Sequence, residues 1–112
     1  GALSSLTNLC SLYLWDNQIS DIKALANLDK LKHLDLSFNR IKDISTLSNL
    51  NNLEELDLSY NKISDISVLS GLTRLKKLSL YNNPIPEKQL ERLKKALQSL
   101  DYKAFIIIYI KY

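Results

Sequence analysis

A thiolate beside an imidazole makes a strong nucleophile, and this chain has one residue of each kind, Cys10 and His33. A working set also needs a third group to orient the imidazole, and the sequence offers none. No glycine-rich phosphate loop occurs either, so the chain reads as a protein without catalytic activity. Two candidate ligands do not close a metal site, and a lone cysteine excludes an internal disulfide and any cysteine-based metal cluster. No metal and no cofactor is therefore expected. Asp21, Asp43 and Asp65 recur at even spacing and suggest a carboxylate trio, but each opens an Asp-Ile-x-x-Leu segment, where an aspartate caps a helical turn. The chemistry that remains is recognition. Its candidates are the aromatics Tyr13, Trp15 and Tyr81 and the charged His33, Asp35, Glu55, Asp57 and Lys77.

These candidates are positioned by a repeat of 22 residues. Its columns are Leu9, Leu31, Leu53, Leu75; Leu12, Leu34, Leu56, Leu78; and Leu14, Leu36, Leu58, Leu80. Asn17, Asn39, Asn61, Asn83 and Ile19, Ile41, Ile63, Ile85 keep the same step. A second half repeats as Ile22, Ile44, Ile66, then Leu25, Leu47, Leu69, then Leu28, Leu50, Leu72. A unit this short cannot bury its own apolar face, so it must stack on its neighbours as a solenoid.

The pattern LxxLxLxxNxIxDIxxLxxL resembles the leucine-rich repeat of the 22-residue kind, found in bacterial internalins and in the leucine-rich regulatory subunit of type-1 protein phosphatase. The resemblance covers Leu3 to Ile85 and implies an α/β fold: a right-handed solenoid with a parallel sheet on its concave side and short helical or 3₁₀ turns on its convex side. It implies little about function, because one scaffold hosts many binding tasks.

Within one unit, alternation from Leu34 onward marks a half-buried strand with Leu34 and Leu36 inward and His33, Asp35 and Ser37 outward. Asn39 follows where the chain leaves the strand and its backbone groups lose ladder partners. An amide has donors and acceptor enough to satisfy them, so the four asparagines are expected as buried ladder residues. Asp43 then caps a helical turn holding Ile44 and Leu47. Across the repeats the outward columns are Ser11, His33, Glu55, Lys77; Tyr13, Asp35, Asp57, Ser79; and Trp15, Ser37, Ser59, Tyr81. A fourth, Asp16, Phe38, Tyr60, Asn82, sits at the bend, where Phe38 and Tyr60 are expected to pack against their own loops. Cys10 and His33 fall on adjacent strands near one rim.

Gly1 to Leu6 matches only the end of a unit, as expected of a piece cut from a longer repeat protein, with Gly1 a processing scar, or else of a chain whose first strand another chain covers. At the other end, Pro86 to Ser99 reads as an amphipathic capping helix, with Pro86 and Glu87 at its start and Leu90, Leu93, Leu97 and Leu100 along one face. The stretch IPEKQLERLKKAL resembles the C-terminal caps of bacterial leucine-rich repeat proteins. Phe105 to Ile110 follows as a strand with Ile106, Ile108 and Ile110 inward and Phe105, Ile107 and Tyr109 outward, a self-association surface on an open edge. The 112 residues contain two glycines and two prolines and no linker, so one domain is expected, with repeats over 1–85 and the cap helix and strand over 86–112.

No run of 18 apolar residues and no signal pattern occurs, which leaves an intracellular and a bacterial-surface location both open. Residues 1–73 hold six basic and nine acidic groups and residues 74–112 nine and three, so the repeats are acidic and the cap basic. Positives on the back of a helix form a solvated face, and neither nucleic acid nor membrane is an expected partner. The expected function is protein recognition by the concave sheet, with Asp35 and Asp57 offered to a basic group of the partner. The alternative is a self-assembling fragment that pairs through its sheet edges, as a homodimer through the C-terminal strand.

Overall fold

Each unit has three inward leucines and no partner for them within its own turn, so the chain advances one strand spacing per unit and lays leucine on leucine. The computed structural model describes residues 7–98 and 107–109. In it the strands β1 (Ser11–Tyr13), β2 (His33–Asp35), β3 (Glu55–Asp57), β4 (Lys77–Ser79) and β5 (Ile107–Tyr109) form one sheet in sequence order. All four pairings are parallel, and Leu12, Leu34, Leu56, Leu78 and Ile108 stand side by side. The ladder continues past each strand through Leu14 N to Asp35 O, Leu36 N to Asp57 O and Leu58 N to Ser79 O. Ile108 thus stands in register with Leu78. Leu3, Leu6, Leu100, Phe105, Ile106 and Ile110 lie outside the described residues.

The core follows the columns. Leu34, Leu36, Leu53, Leu56, Leu58, Leu75, Leu78 and Leu80 are at most 2 % exposed. Burial of one such side chain is worth about 1.5–3 kcal/mol. Leu9, Leu12, Leu14 and Ile19 of the first rung are only partly buried, since among the described residues a neighbour covers them on one side alone.

The return path of each rung is a 3₁₀ turn, at Lys23–Leu25, Ser45–Asn49 and Ser67–Gly71. Each aspartate before it accepts a hydrogen bond two residues on: Lys23 N to Asp21 Oδ1, Ser45 N to Asp43 Oδ1 and Ser67 N to Asp65 Oδ1, at 2.9, 2.9 and 3.0 Å. The aspartates are turn caps, and the carboxylate-trio reading falls. The backbone N–H of Ser45 and of Ser67, helped by their hydroxyls, holds the carboxyls of Asp43 and Asp65 below the usual range. A lowered folded-state pKa contributes stability above the unfolded carboxylate range and loses it as the pH falls through the folded value. Asp65→Ala is therefore expected to unfold at slightly lower urea than the parent at pH 7, with the gap closing in acid. A gap that persists in acid would assign the effect to something other than the charge.

After β4 the 3₁₀ turn is replaced by α1 (Glu87–Gln98), which starts one residue later than the sequence pattern suggests, while Ser99 lies outside the described residues. Glu87 lies in its first turn, suited to the helix dipole, and Leu90, Leu93 and Leu97 are at most 3 % exposed. Gln89 Oε1 accepts from Ile66 N at 3.1 Å, so the cap meets the last free rung with a side-chain amide.

Ser37 and Ser59, placed outward by alternation, are nonetheless covered, at 5 % and 4 % exposure. Their hydroxyls bond to side chains of the neighbouring outward row. Ser37 Oγ donates to Asp35 Oδ1 at 2.7 Å, and Ser59 Oγ pairs with Ser79 Oγ at 2.7 Å while accepting from Tyr81 N.

Candidate functional site

Strand register brings six of the eight candidate residues to one place. Tyr13, His33, Asp35, Glu55, Asp57 and Lys77 line a shallow open hollow of about 180 Å³ on the sheet face. Trp15 and Tyr81 lie outside it, in the first and fourth rungs. His33, Glu55 and Lys77 are neighbours in one row, and Tyr13, Asp35 and Asp57 in the next.

The floor is charged and internally paired. His33 Nδ1 and Glu55 Oε2 are 2.6 Å apart, in a half-exposed pair that the shared column of the sequence makes legible only once adjacent rungs are counted as contacts. Asp35 and Asp57 face each other across β2 and β3, as the sequence places them. Each commits one oxygen to its own strand end: Ser37 N donates to Asp35 Oδ1 and Ser59 N to Asp57 Oδ1, both at 2.9 Å. These carboxylates are thus part of the fold as well as of the face. Cys10 is exposed, and its carbonyl accepts from Lys32 N and His33 N, which puts Cys10 and His33 on adjacent rungs. Among the described residues no three His, Cys, Asp or Glu side chains form a metal-binding group.

Aromatics border this floor. Tyr13 and Trp15 are 63 % and 57 % exposed. Phe38 and Tyr60 are 50 % and 45 % exposed. They stack on each other, with ring centres 4.3 Å apart and planes 8° from parallel. The cause is the backbone. Asp16, Phe38, Tyr60 and Asn82 all have φ between 53° and 58°, because the chain must turn left-handed there to bring the next asparagine beneath the strand. Asp and Asn tolerate this region; a ring-bearing residue pays about 1–2 kcal/mol for it. The stacked pair returns about 0.5–1.5 kcal/mol beyond what burial of the covered half of each ring contributes. The hydrogen bonds Phe38 N to Ser59 O and Tyr60 N to Tyr81 O, at 2.9 and 2.7 Å, hold them there. The column's Asp16 and Asn82 were the sequence signal for this bend.

The asparagine column is the ladder that its amides suggest. In three successive rungs the side-chain oxygen accepts from the preceding rung: Ile19 N to Asn39, Ile41 N to Asn61 and Ile63 N to Asn83. The nitrogen donates back to Leu14 O, Leu36 O and Leu58 O. Asn39 and Asn61 are buried; Asn17 is exposed and, among the described residues, bonds only within its own bend.

A parallel sheet, 3₁₀ returns, an amide ladder and a capping helix together define a repeat solenoid that carries its side chains on an open sheet face. The profile described as Leucine Rich repeats (2 copies) matches residues 7–49 and 51–95, and the chain belongs to this leucine-rich repeat family. Among solved structures it is similar to internalin C2 of Listeria monocytogenes, at 35 % identity and a TM-score of 0.83 over 97 % of this chain and 45 % of that one. A second internalin of the same species matches at 34 % identity and a TM-score of 0.82, over 98 % of this chain and 32 % of that one. A leucine-rich repeat protein of Leptospira interrogans matches at 27 % and 0.80, over 98 % and 27 %. The chain spans less than half the length of each. No curated protein sequence matches it significantly. The likeness is thus to internalin-type bacterial repeats, and none of these three matches supports the phosphatase-subunit side of the sequence resemblance. Solenoids of this family are typically non-catalytic scaffolds that meet other proteins on the concave sheet.

Proposed function

We propose that the chain binds a partner protein on its sheet face through Tyr13, Trp15, His33, Asp35, Glu55, Asp57, Lys77 and Tyr81. The observation that carries this reading is the exposure of Tyr13 and Trp15, 63 % and 57 %, beside an acidic hollow. Exposed large aromatics are the side chains that dominate binding energy at interfaces, and a carboxylate pair on adjacent strands repels itself until a cation meets it. The partner's contact group is accordingly basic. Capture by the immobilised chain is compared with capture by a Tyr13→Ala, Trp15→Ala, Asp57→Ala variant. A partner retained by the first and lost by the second, with salt-sensitive binding, is the expected result; equal recovery of every protein by both forms contradicts the reading.

The second reading is self-association, favoured by the place of β5 at the end of the sheet. An edge strand presents unpaired backbone groups, and Phe105, Ile107 and Tyr109 would add apolar surface on pairing about a two-fold axis. Sedimentation is expected to show a dimer at high micromolar concentration that Ile107→Lys returns to monomer. A monomeric parent chain, or a variant that still associates, removes this edge from consideration.

A further inference from the structure

His33 is the only histidine of the chain, and it stands in the hollow on the sheet face with its Nδ1 2.6 Å from Glu55 Oε2. We propose that this pair gates the face by pH: with the imidazole neutral the hollow holds a guanidinium or ammonium group of the partner, and protonation of the imidazole loosens that hold. This deepens the sheet-face reading and rests on it.

The pair fixes which ring nitrogen titrates. An ionised carboxylate can only accept, so Nδ1 donates to Glu55 in the neutral ring as in the charged one. The proton gained in acid therefore goes to Nε2. In the neutral ring Nε2 is an acceptor, and protonation makes it a donor. Among the described residues nothing bonds it, so it is available to a group arriving on the face. The His33 and Glu55 side chains are 36 % and 51 % exposed, and an ion pair that open adds little to stability. What its charge state changes is the face.

Charge works in the same direction as the acceptor. The lining carries the carboxylates of Asp35, Glu55 and Asp57 and the ammonium of Lys77, a net of two negatives while His33 is neutral and of one when it is charged. Tyr13 completes the titratable groups of the lining; Cys10 lies on the adjacent rung and Lys32 precedes His33 in the chain. Carboxyl, thiol, phenol and ammonium groups ordinarily titrate outside the interval from about pH 5.5 to 7.5, and imidazole within it. Across that interval a cation on the face meets one more positive charge and one fewer acceptor as the pH falls. An anion would gain from both changes, so the sign of the pH dependence also reports the sign of the partner's contact group.

The test is fluorescence anisotropy with labelled tetra-arginine amide, whose own charge is constant over this range, at about pH 7.5 and about pH 5.5 and one ionic strength. The affinity is expected to fall about fivefold from the higher pH to the lower. His33→Gln, whose side chain is uncharged at both, is expected to bind equally at the two pH values whatever its absolute affinity. Equal or tighter binding by the parent in acid overturns the gate, and so does a pH dependence that persists in His33→Gln. Ring nitrogen resonances at about pH 7.5 that place the neutral ring's proton on Nε2 overturn it too. Absence of saturable binding at the higher pH removes the gate together with the basic contact group. The capture experiment separates the two readings. A partner that the parent holds equally at both pH values, and that the Tyr13, Trp15, Asp57 variant loses, leaves protein recognition standing and removes only the gate.

Discussion

Asn61→Ala is expected to destabilise the chain by about 3–5 kcal/mol, a large part of the total stability of a domain this size. Asn61 is 7 % exposed. Its nitrogen donates to Leu36 O at 2.9 Å, Leu58 O at 3.0 Å and Ser59 O at 3.3 Å, and its oxygen accepts from Ile41 N at 3.0 Å. Alanine removes all four bonds; Leu36 O, Leu58 O and Ser59 O keep donors in Asn39, Asn83 and Phe38 N, whereas Ile41 N is left buried without its acceptor, at about 1–3 kcal/mol beyond the lost bonds. Asn17 supplies the internal control. It is exposed and, among the described residues, bonds only to Leu14 O and Trp15 O, so Asn17→Ala should cost under about 1 kcal/mol. Urea unfolding of both variants decides the matter. Similar losses at the two positions would show that the amides serve their own bends and do not tie rung to rung.

The contrast between those two asparagines also marks how far the sequence can be read. The 22-residue step fixes inward and outward positions for Leu34, Leu56 and Leu78, and the structure pairs them as spaced; it likewise brings Asp35 opposite Asp57. Such readings succeed because a one-residue slip would turn every leucine to solvent. Alternation does not foresee the burial of Ser37 and Ser59, whose hydroxyls are covered in bonds to Asp35 and Ser79. Nor does it reach Phe38 and Tyr60 at the bend. Their positive φ is imposed by the bend, and no propensity of Phe or Tyr announces it; only the Asp16 and Asn82 of the same column do. The His33 and Glu55 pair was one counting step from view, since residues 22 apart in a solenoid of this period are cross-strand neighbours.

The capping helix sets the second large expectation, that Leu93→Ala costs about 2–4 kcal/mol and spends it at one end of the molecule. Leu93 is 3 % exposed and lies with Leu90 and Leu97 on the face of α1 that covers the 3₁₀ turn at Ser67–Gly71. Alanine leaves a cavity there, because α1 is tied to the third rung by Gln89 and cannot settle freely into the gap. In a solenoid, stability is a sum of terms within rungs and between neighbours, so a defect in the cap weakens the adjacent rungs first. Amide exchange is expected to quicken at Ile66, Leu69 and Leu78 and to stay slow at Leu34 and Leu36, two rungs away. Leu58→Ala, at 0 % exposure in the third rung, should instead lower protection on both sides of itself. Exchange that rises evenly from Leu12 to Leu97 in the Leu93→Ala variant would mean that the rungs unfold as one cooperative unit, and the cap would then be a lid on the whole stack and not on its last turns.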